Sequence, residues 1–560
     1  MRQVGRFMAV AFAISLGASE AVADIPDELY QALGLERSAS PKQLYEALVS
    51  RYHDPQWIGR GTYAQFWEPI PISQYLNPFL FYQPTDVDIE ATRAECVECH
   101  TTVTPGWVQG WQKSVHANLD QIRALPDDDP RAYKKAILAE VEENLRSLGK
   151  LGPNEPLAEV SCIDCHIDVG AERGHHRADL RLPDAAVCGQ CHLQQFAERE
   201  SERDTLTWPQ DQWPRGRPSH ALDWKANVET AIWAAMEQRE VAEGCTFCHN
   251  NQTKCDTCHT RHEFSTVEAR KPDACATCHN GVDHNEFENY LLSKHGTIYK
   301  TRGDTWNWHA RLADARTLGN LHAPTCQLCH MEYQGQFSHN LVRKVRWAFN
   351  PTPAIADNLH HPWFEERKEA WVQTCSMCHS PRFARIYLDY MDNAIKSGLE
   401  VEQAAKKVVE KLYEDGLLVG QKDNRPAPPA PDTDAPGGFF QLFWAKDNNP
   451  SAVEYIYAEM WEHDLIKHYK GVAHVNPGGY TYSEGWSKLI GAYAKIQDEN
   501  TRLRQMAALE ARLAALEQKQ QGNLFTPDLQ RAAVGVSGAS LCVVGLALLF
   551  WGLGQRRRSP

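Results

Sequence analysis

The stretch CTFCHNNQTKCDTCHTRHEFSTVEARKPDACATCH, residues 245–279, carries the pattern C-x-x-C-H three times. Along the chain the pattern begins at Cys96, Cys162, Cys188, Cys245, Cys255, Cys275, Cys326 and Cys375. With 17 Cys and 24 His in 560 residues, about 0.02 copies would arise by chance; eight are present and use 16 of the cysteines. C-x-x-C-H is the covalent attachment site of a c-type heme, in which two thioethers fix the porphyrin edge and the adjacent His reaches the iron. The thioether residues are therefore Cys96, Cys99, Cys162, Cys165, Cys188, Cys191, Cys245, Cys248, Cys255, Cys258, Cys275, Cys278, Cys326, Cys329, Cys375 and Cys378. The proximal ligands are His100, His166, His192, His249, His259, His279, His330 and His379. Paired C-x-x-C motifs also suit four-cysteine zinc sites, but zinc does not require a His after every second Cys.

The motif spacing is irregular, which excludes a tandem array of small cytochromes. Between motifs, residues 131–149, 222–243 and 383–415 carry helix formers with apolar residues three and four apart. The expected fold is mainly α, a multiheme cytochrome c with eight covalently bound hemes replacing much of the ordinary core. A catalytic body over 24–424 would lead into a Pro-rich linker, 425–438, and then an aromatic-rich segment, 439–492, folded back onto the body. Residues 493–531 come next, with Met506, Leu509, Leu513 and Leu516 at alternating spacings of three and four. They suit a helical stalk or an amphipathic helix packed on its own subunit.

The ends suggest an address. Residues 1–23 have a basic start at Arg2 and Arg6, an apolar run and Ala21-Val22-Ala23, the pattern of a cleaved secretory signal, with a buried first helix as the alternative. Residues 532–555 contain no charged side chain and precede Arg556, Arg557 and Arg558 in a short tail, 556–560. They read as one transmembrane helix, with the body in the periplasm and anchored to the inner membrane. Cys542 lies inside that span as an apolar residue. Removing Arg2, Arg6 and Glu20 with the signal shifts the net charge from −14 to −15, and setting the three terminal arginines aside leaves about −18. Nucleic acid is excluded as a partner and a cationic protein is favoured.

Sixteen histidines lie outside the motifs. An electron-transfer heme has its sixth position filled, whereas a substrate-binding heme needs it open. The count alone does not choose between eight saturated hemes and seven.

The segments CDTCHTRHEFSTVEARKPDACATCHNGVDHNEFENYLLSKHG, RPSHALD, EYQGQFSHNLVRKVRW and GVAHVNPGGYTYSEGW resemble octaheme hydroxylamine oxidoreductase of ammonia-oxidising bacteria, over about Asp24 to Trp486. The resemblance implies seven bis-His hemes, with distal ligands His116, His176, His220, His262, His295, His339 and His474. His175 competes with His176. His53, His309, His322, His360, His361, His463 and His468 match no motif of the family and read as surface or loop residues. The open heme is then the fourth, held by Cys245, Cys248 and His249. Asp283 and His284 would accept protons on its distal side, which suits a His beside a carboxylate. His284 as an eighth distal ligand is the alternative. Tyr482, with Tyr480 as runner-up, would be joined covalently to the open porphyrin of a neighbouring subunit in a homotrimer. The implied activity is nitrification chemistry: hydroxylamine dehydrogenation to nitric oxide or nitrite, with electron transport to a small cationic multiheme cytochrome c. Two other readings stay open, an octaheme reductase of nitrite or another nitrogen oxide and a non-catalytic electron conduit.

Overall fold

The computed structural model describes residues 87–205, 255–418 and 451–524, apart from 182, 282–283, 316–319 and 348–350, with a few isolated positions between 34 and 47. Among the described residues the chain is mainly helical. Its strands are two short antiparallel pairs, Glu90–Thr92 with Arg173–His175 and Glu332–Tyr333 with Gln336–Phe337. The expected signal 1–23, helix 222–243, linker 425–438, span 532–555 and fourth heme motif all lie outside the described residues.

Nine helices position the site: α1 (Arg93–Val103), α2 (Lys134–Ser147), α3 (Leu193–Glu200), α4 (Glu286–Leu292), α5 (Pro362–Cys375), α6 (Pro381–Glu414), α7 (Ala452–Glu459), α8 (Leu465–Ala473) and α9 (Ser487–Leu524). A helical turn puts Cys, Cys and His of a motif at i, i+3 and i+4, hence on one face. The sequence starts such turns with capping residues. Thr92 and Glu95 form a capping box at α1, Ser161 and Asp164 do the same for the single turn Cys162–His166, and the Thr325 side chain accepts from the Leu328 N–H at Cys326–Met331. α6 begins two residues before the expected 383 because Ser380 caps it and Pro381 fills its first position. It ends at Gly416, whose φ of +66° lets the Leu417 N–H reach back to the Leu412 carbonyl at 3.0 Å.

The apolar core lies in the carboxy-terminal half. Ile395, Val409 and Leu412 of α6 meet Val453, Leu465, Val472, Leu489 and Ile496 of α7, α8 and α9, all with no exposed surface. Each such side chain contributes about 1.5–3 kcal/mol by leaving water. Asp392 locks this bundle to the segment before it, accepting from Arg346 Nη1 at 2.9 Å and Nη2 at 3.0 Å, Trp347 Nε1 at 2.9 Å and Lys368 Nζ at 3.3 Å. Among the described residues, the amino-terminal half has small apolar groups, such as Leu119, Ile122, Leu125 and Leu138. Where a core would be, it has a cavity.

The membrane-anchored localisation is corrected. No helix among the described residues is long and apolar enough to cross a membrane. The longest, α9, carries charged residues such as Arg502, Arg504 and Glu510 along its length, and Arg504 Nη1 binds Asp415 at 2.7 Å. Leu489 and Ile496 of α9 pack inward, whereas Met506, Leu509, Leu513 and Leu516 are 47–61% exposed.

Candidate heme relay and substrate site

The cavity has a volume of 2540 Å³. That is several times the ~300–1,000 Å³ of an ordinary ligand pocket. Thiols and imidazoles of all seven described motifs line it, together with every described distal candidate and His284. Of the histidines without a family motif, His463 reaches it, while His309, His322, His360, His361 and His468 do not.

The rings stand in pairs. His100 and His176 have centroids 6.3 Å apart, His192 and His116 6.3 Å, His166 and His262 6.2 Å, His379 and His295 6.1 Å, and His330 and His474 6.4 Å. Two imidazoles sharing one metal through bonds of ~2.0–2.1 Å would have centroids roughly 6.3 Å apart, so the residues present fit a heme iron between each pair. His176 rather than His175 faces His100; the His175 Nδ1 accepts from the Ala178 N–H instead. Burial, and next the ring mate, hold His116 and His262 down at about 4 and His330 at about 3. These imidazoles are neutral at neutral pH, as metal binding requires. His259 is likewise held at about 3 by burial, with His339 next, and His339 also lies within electrostatic range of His192.

The motifs also touch in order. The Cys188 thiol lies beside that of Cys255, and that of Cys275 beside Cys326, each pair interacting electrostatically. Cys96 raises the Cys162 thiol, Cys191 the Cys165 thiol, Cys275 the Cys258 thiol, and Cys375 and Cys378 the Cys329 thiol, each after burial. Each described motif thus lies within electrostatic range of the next described one along the chain. No cluster of three or more His, Cys, Asp or Glu among the described residues could hold a metal ion, as the zinc alternative would need.

The candidate catalytic residues are less completely described. Cys245, Cys248, His249, His220 and Asp283 lie outside the described residues. The His284 ring lies 6.4 Å from that of His279 at 70°, within the spacing of the axial pairs. α4 comes directly after it and packs against the π-helical segment Gly479–Trp486 that bears Tyr482. Just before that segment, Lys470 Nζ of α8 pairs with Glu286 and Asn476 Nδ2 donates to Asn289 Oδ1 at 3.2 Å, tying α4 to the chain that leads into it. Tyr482 is 63% exposed, while its neighbour Thr481 is buried.

One residue was misread from sequence. His468 is buried, with Nδ1 2.9 Å from the Thr481 carbonyl and Nε2 2.6 Å from the Ala394 carbonyl. It fastens the Tyr482 segment to α6. Gly398 and Gly485 make room for it: a Cβ at either would lie within about 2.5 Å of His468 atoms. Nothing in the local sequence, Lys467-His468-Tyr469, reveals this role.

Seven motif turns around one cavity with paired imidazoles define a multiheme cytochrome c. A family model described as "Seven times multi-haem cytochrome CxxCH" matches residues 158–426. The chain is 31% identical over 512 residues to a probable nitrite reductase-hydroxylamine oxidoreductase fusion protein of Kuenenia stuttgartiensis, covering 80% of this chain and 57% of that protein. It therefore spans little more than half the length of that relative. A solved reducing HAO-like protein complex of Kuenenia stuttgartiensis aligns with a TM-score of 0.62 and 29% identity, over 83% of this chain and 99% of that one. A hypothetical multiheme protein, at TM-score 0.50 and 17% identity over 75% of this chain and 96% of its own, shares the fold. Within the multiheme cytochromes c, the chain is similar to proteins of the hydroxylamine oxidoreductase and nitrite reductase-like type.

Proposed function

We propose that this oxidoreductase oxidises hydroxylamine to nitric oxide or nitrite at one open heme, the fourth, and passes the electrons through seven bis-His hemes to a small cationic multiheme cytochrome c. The observation that carries the relay is the set of imidazole pairs at axial spacing around one cavity lined by the motifs. Bound heme supplies iron that exchanges single electrons and, where its sixth position is open, takes the substrate nitrogen. The chain's part is to saturate seven irons with histidine, keep the cavity lined by neutral imidazoles and thioethers, and offer Asp283 and His284 as proton acceptors.

Tyr482 sets the direction. Its exposure on a π-helical turn, a form often found at functional sites, suits attachment to the porphyrin of another copy in a homotrimer. The reductive reading has one observation in its favour, the solved relative named as reducing. Denaturing electrophoresis without added crosslinker distinguishes them. Wild type should run as a trimer, Tyr482→Phe as a monomer with hydroxylamine oxidation lost. Monomeric wild type would remove the shared site and favour reduction.

A further inference from the structure

The ligand histidines differ in what holds their second ring nitrogen. Nδ1 of His100 meets the Thr104 hydroxyl at 2.7 Å, that of His166 the Arg181 carbonyl at 3.1 Å, and that of His474 the Lys470 carbonyl at 2.9 Å. All three partners are neutral. His339 meets a carboxylate: Glu198 Oε2 lies 3.1 Å from its Nδ1 and also accepts its backbone N–H at 3.0 Å. The other oxygen of Glu198 accepts from Gln194 Nε2 at 2.8 Å, one turn back on α3. Three donors therefore fix a carboxylate that comes from a distant part of the chain. Arg343 is within electrostatic range, but its Nη2 donates to the Met331 carbonyl at 2.7 Å and the Gln336 carbonyl at 3.3 Å.

His279 offers an internal comparison. Its Nδ1 is 3.6 Å from Glu286, too long for a good hydrogen bond, and Lys470 pairs with the same Glu286 oxygen. The charge of Glu286 thus falls on an ammonium, whereas that of Glu198 falls on an imidazole.

We propose that Glu198 is a positioning residue for the heme that His339 ligates: it accepts the Nδ1–H of His339 in a charge-assisted hydrogen bond, leaves Nε2 for the iron, and lowers that heme's potential. Outer carboxylates fix the tautomer of a ligating His and raise its basicity, and a more basic ligand favours the ferric over the ferrous state. The consequence is local. His339 lies within electrostatic range of the proximal histidines of the third and fifth motifs, His192 and His259, so the affected heme lies in the relay beside them. The inference rests on the axial role proposed for His339.

The test is a spectroelectrochemical titration of the heme-loaded protein. Glu198→Gln keeps an accepting oxygen and removes the charge, so the midpoint of a single low-spin heme should move upward while the others stay. Gln194→Leu takes a donor from the same carboxylate, leaves its charge to His339, and should move that midpoint downward. Unchanged midpoints in both variants, or an upward move in both, would overturn the proposal. His339→Ala separates the two levels: one low-spin heme should become high-spin. If none does, the axial role of His339 is wrong; if one does and Glu198→Gln moves nothing, the positioning role alone falls.

Discussion

His284 is the residue on which catalysis and ligation compete. Its ring stands at axial spacing from His279, as ligation requires, yet only five positions separate the two and the fourth motif lies outside the described residues. A proton acceptor is tested through its neighbour. Asp283→Asn should load eight hemes and oxidise hydroxylamine roughly 10²–10⁴-fold more slowly, the usual worth of general acid–base catalysis. Stopped-flow turnover unchanged across the pH range would remove the pair from the mechanism. At this scale the motif residues were legible because covalent attachment imposes a fixed spacing. The distal ligands came only through family likeness, since one His in a loop looks like another. His468 was illegible: its two carbonyl partners, Thr481 and Ala394, come from separate elements that no local pattern reveals.

Helices were legible where periodicity and caps agreed. Residues 131–149 and 383–415 fold as α2 and α6 within a few positions of expectation, and the differences lie where Ser380-Pro381 and Gly149 decide the ends. The π-helical form of Gly479–Trp486 was not, because its extra residue per turn is imposed by the contacts of His468 and Asn476 rather than by propensity. What binds elements together is more polar than composition suggested. Asp392 accepts from Arg346, Trp347 and Lys368 inside the bundle. Asp392→Ala leaves the buried Arg346 without its carboxylate, while Lys368 keeps Asp389, and should cost about 3–5 kcal/mol in denaturant unfolding of the heme-loaded protein. A loss below about 1 kcal/mol would mean that the apolar contacts of α6 hold the junction alone.

At the scale of the whole molecule, among the described residues the motif turns line one cavity and the largest apolar core lies in the carboxy-terminal helices. Mainly helical architecture was legible from composition; the order of motif contacts was not, since it depends on how distant segments cross. The acidic balance, −14 over the full chain, has a consequence for electron exit. Hydroxylamine is uncharged near neutral pH, so the field acts on the protein acceptor. Opposite fields speed encounter by ~10–10³-fold and are screened beyond roughly 8 Å at physiological salt. The second-order rate of reduction of a cationic cytochrome c should therefore fall steeply between about 20 and 500 mM salt, while a neutral dye is reduced at an unchanged rate. A flat response with the cytochrome would assign the acidic surface to solubility.

The central claim, seven saturated irons and one open, is tested most directly by counting spin states in the fully oxidised holoprotein by low-temperature magnetic circular dichroism. The account expects eight hemes per chain, seven with bis-His low-spin bands and one high-spin. Eight low-spin hemes would contradict it, leaving no iron for substrate and making His284 a ligand.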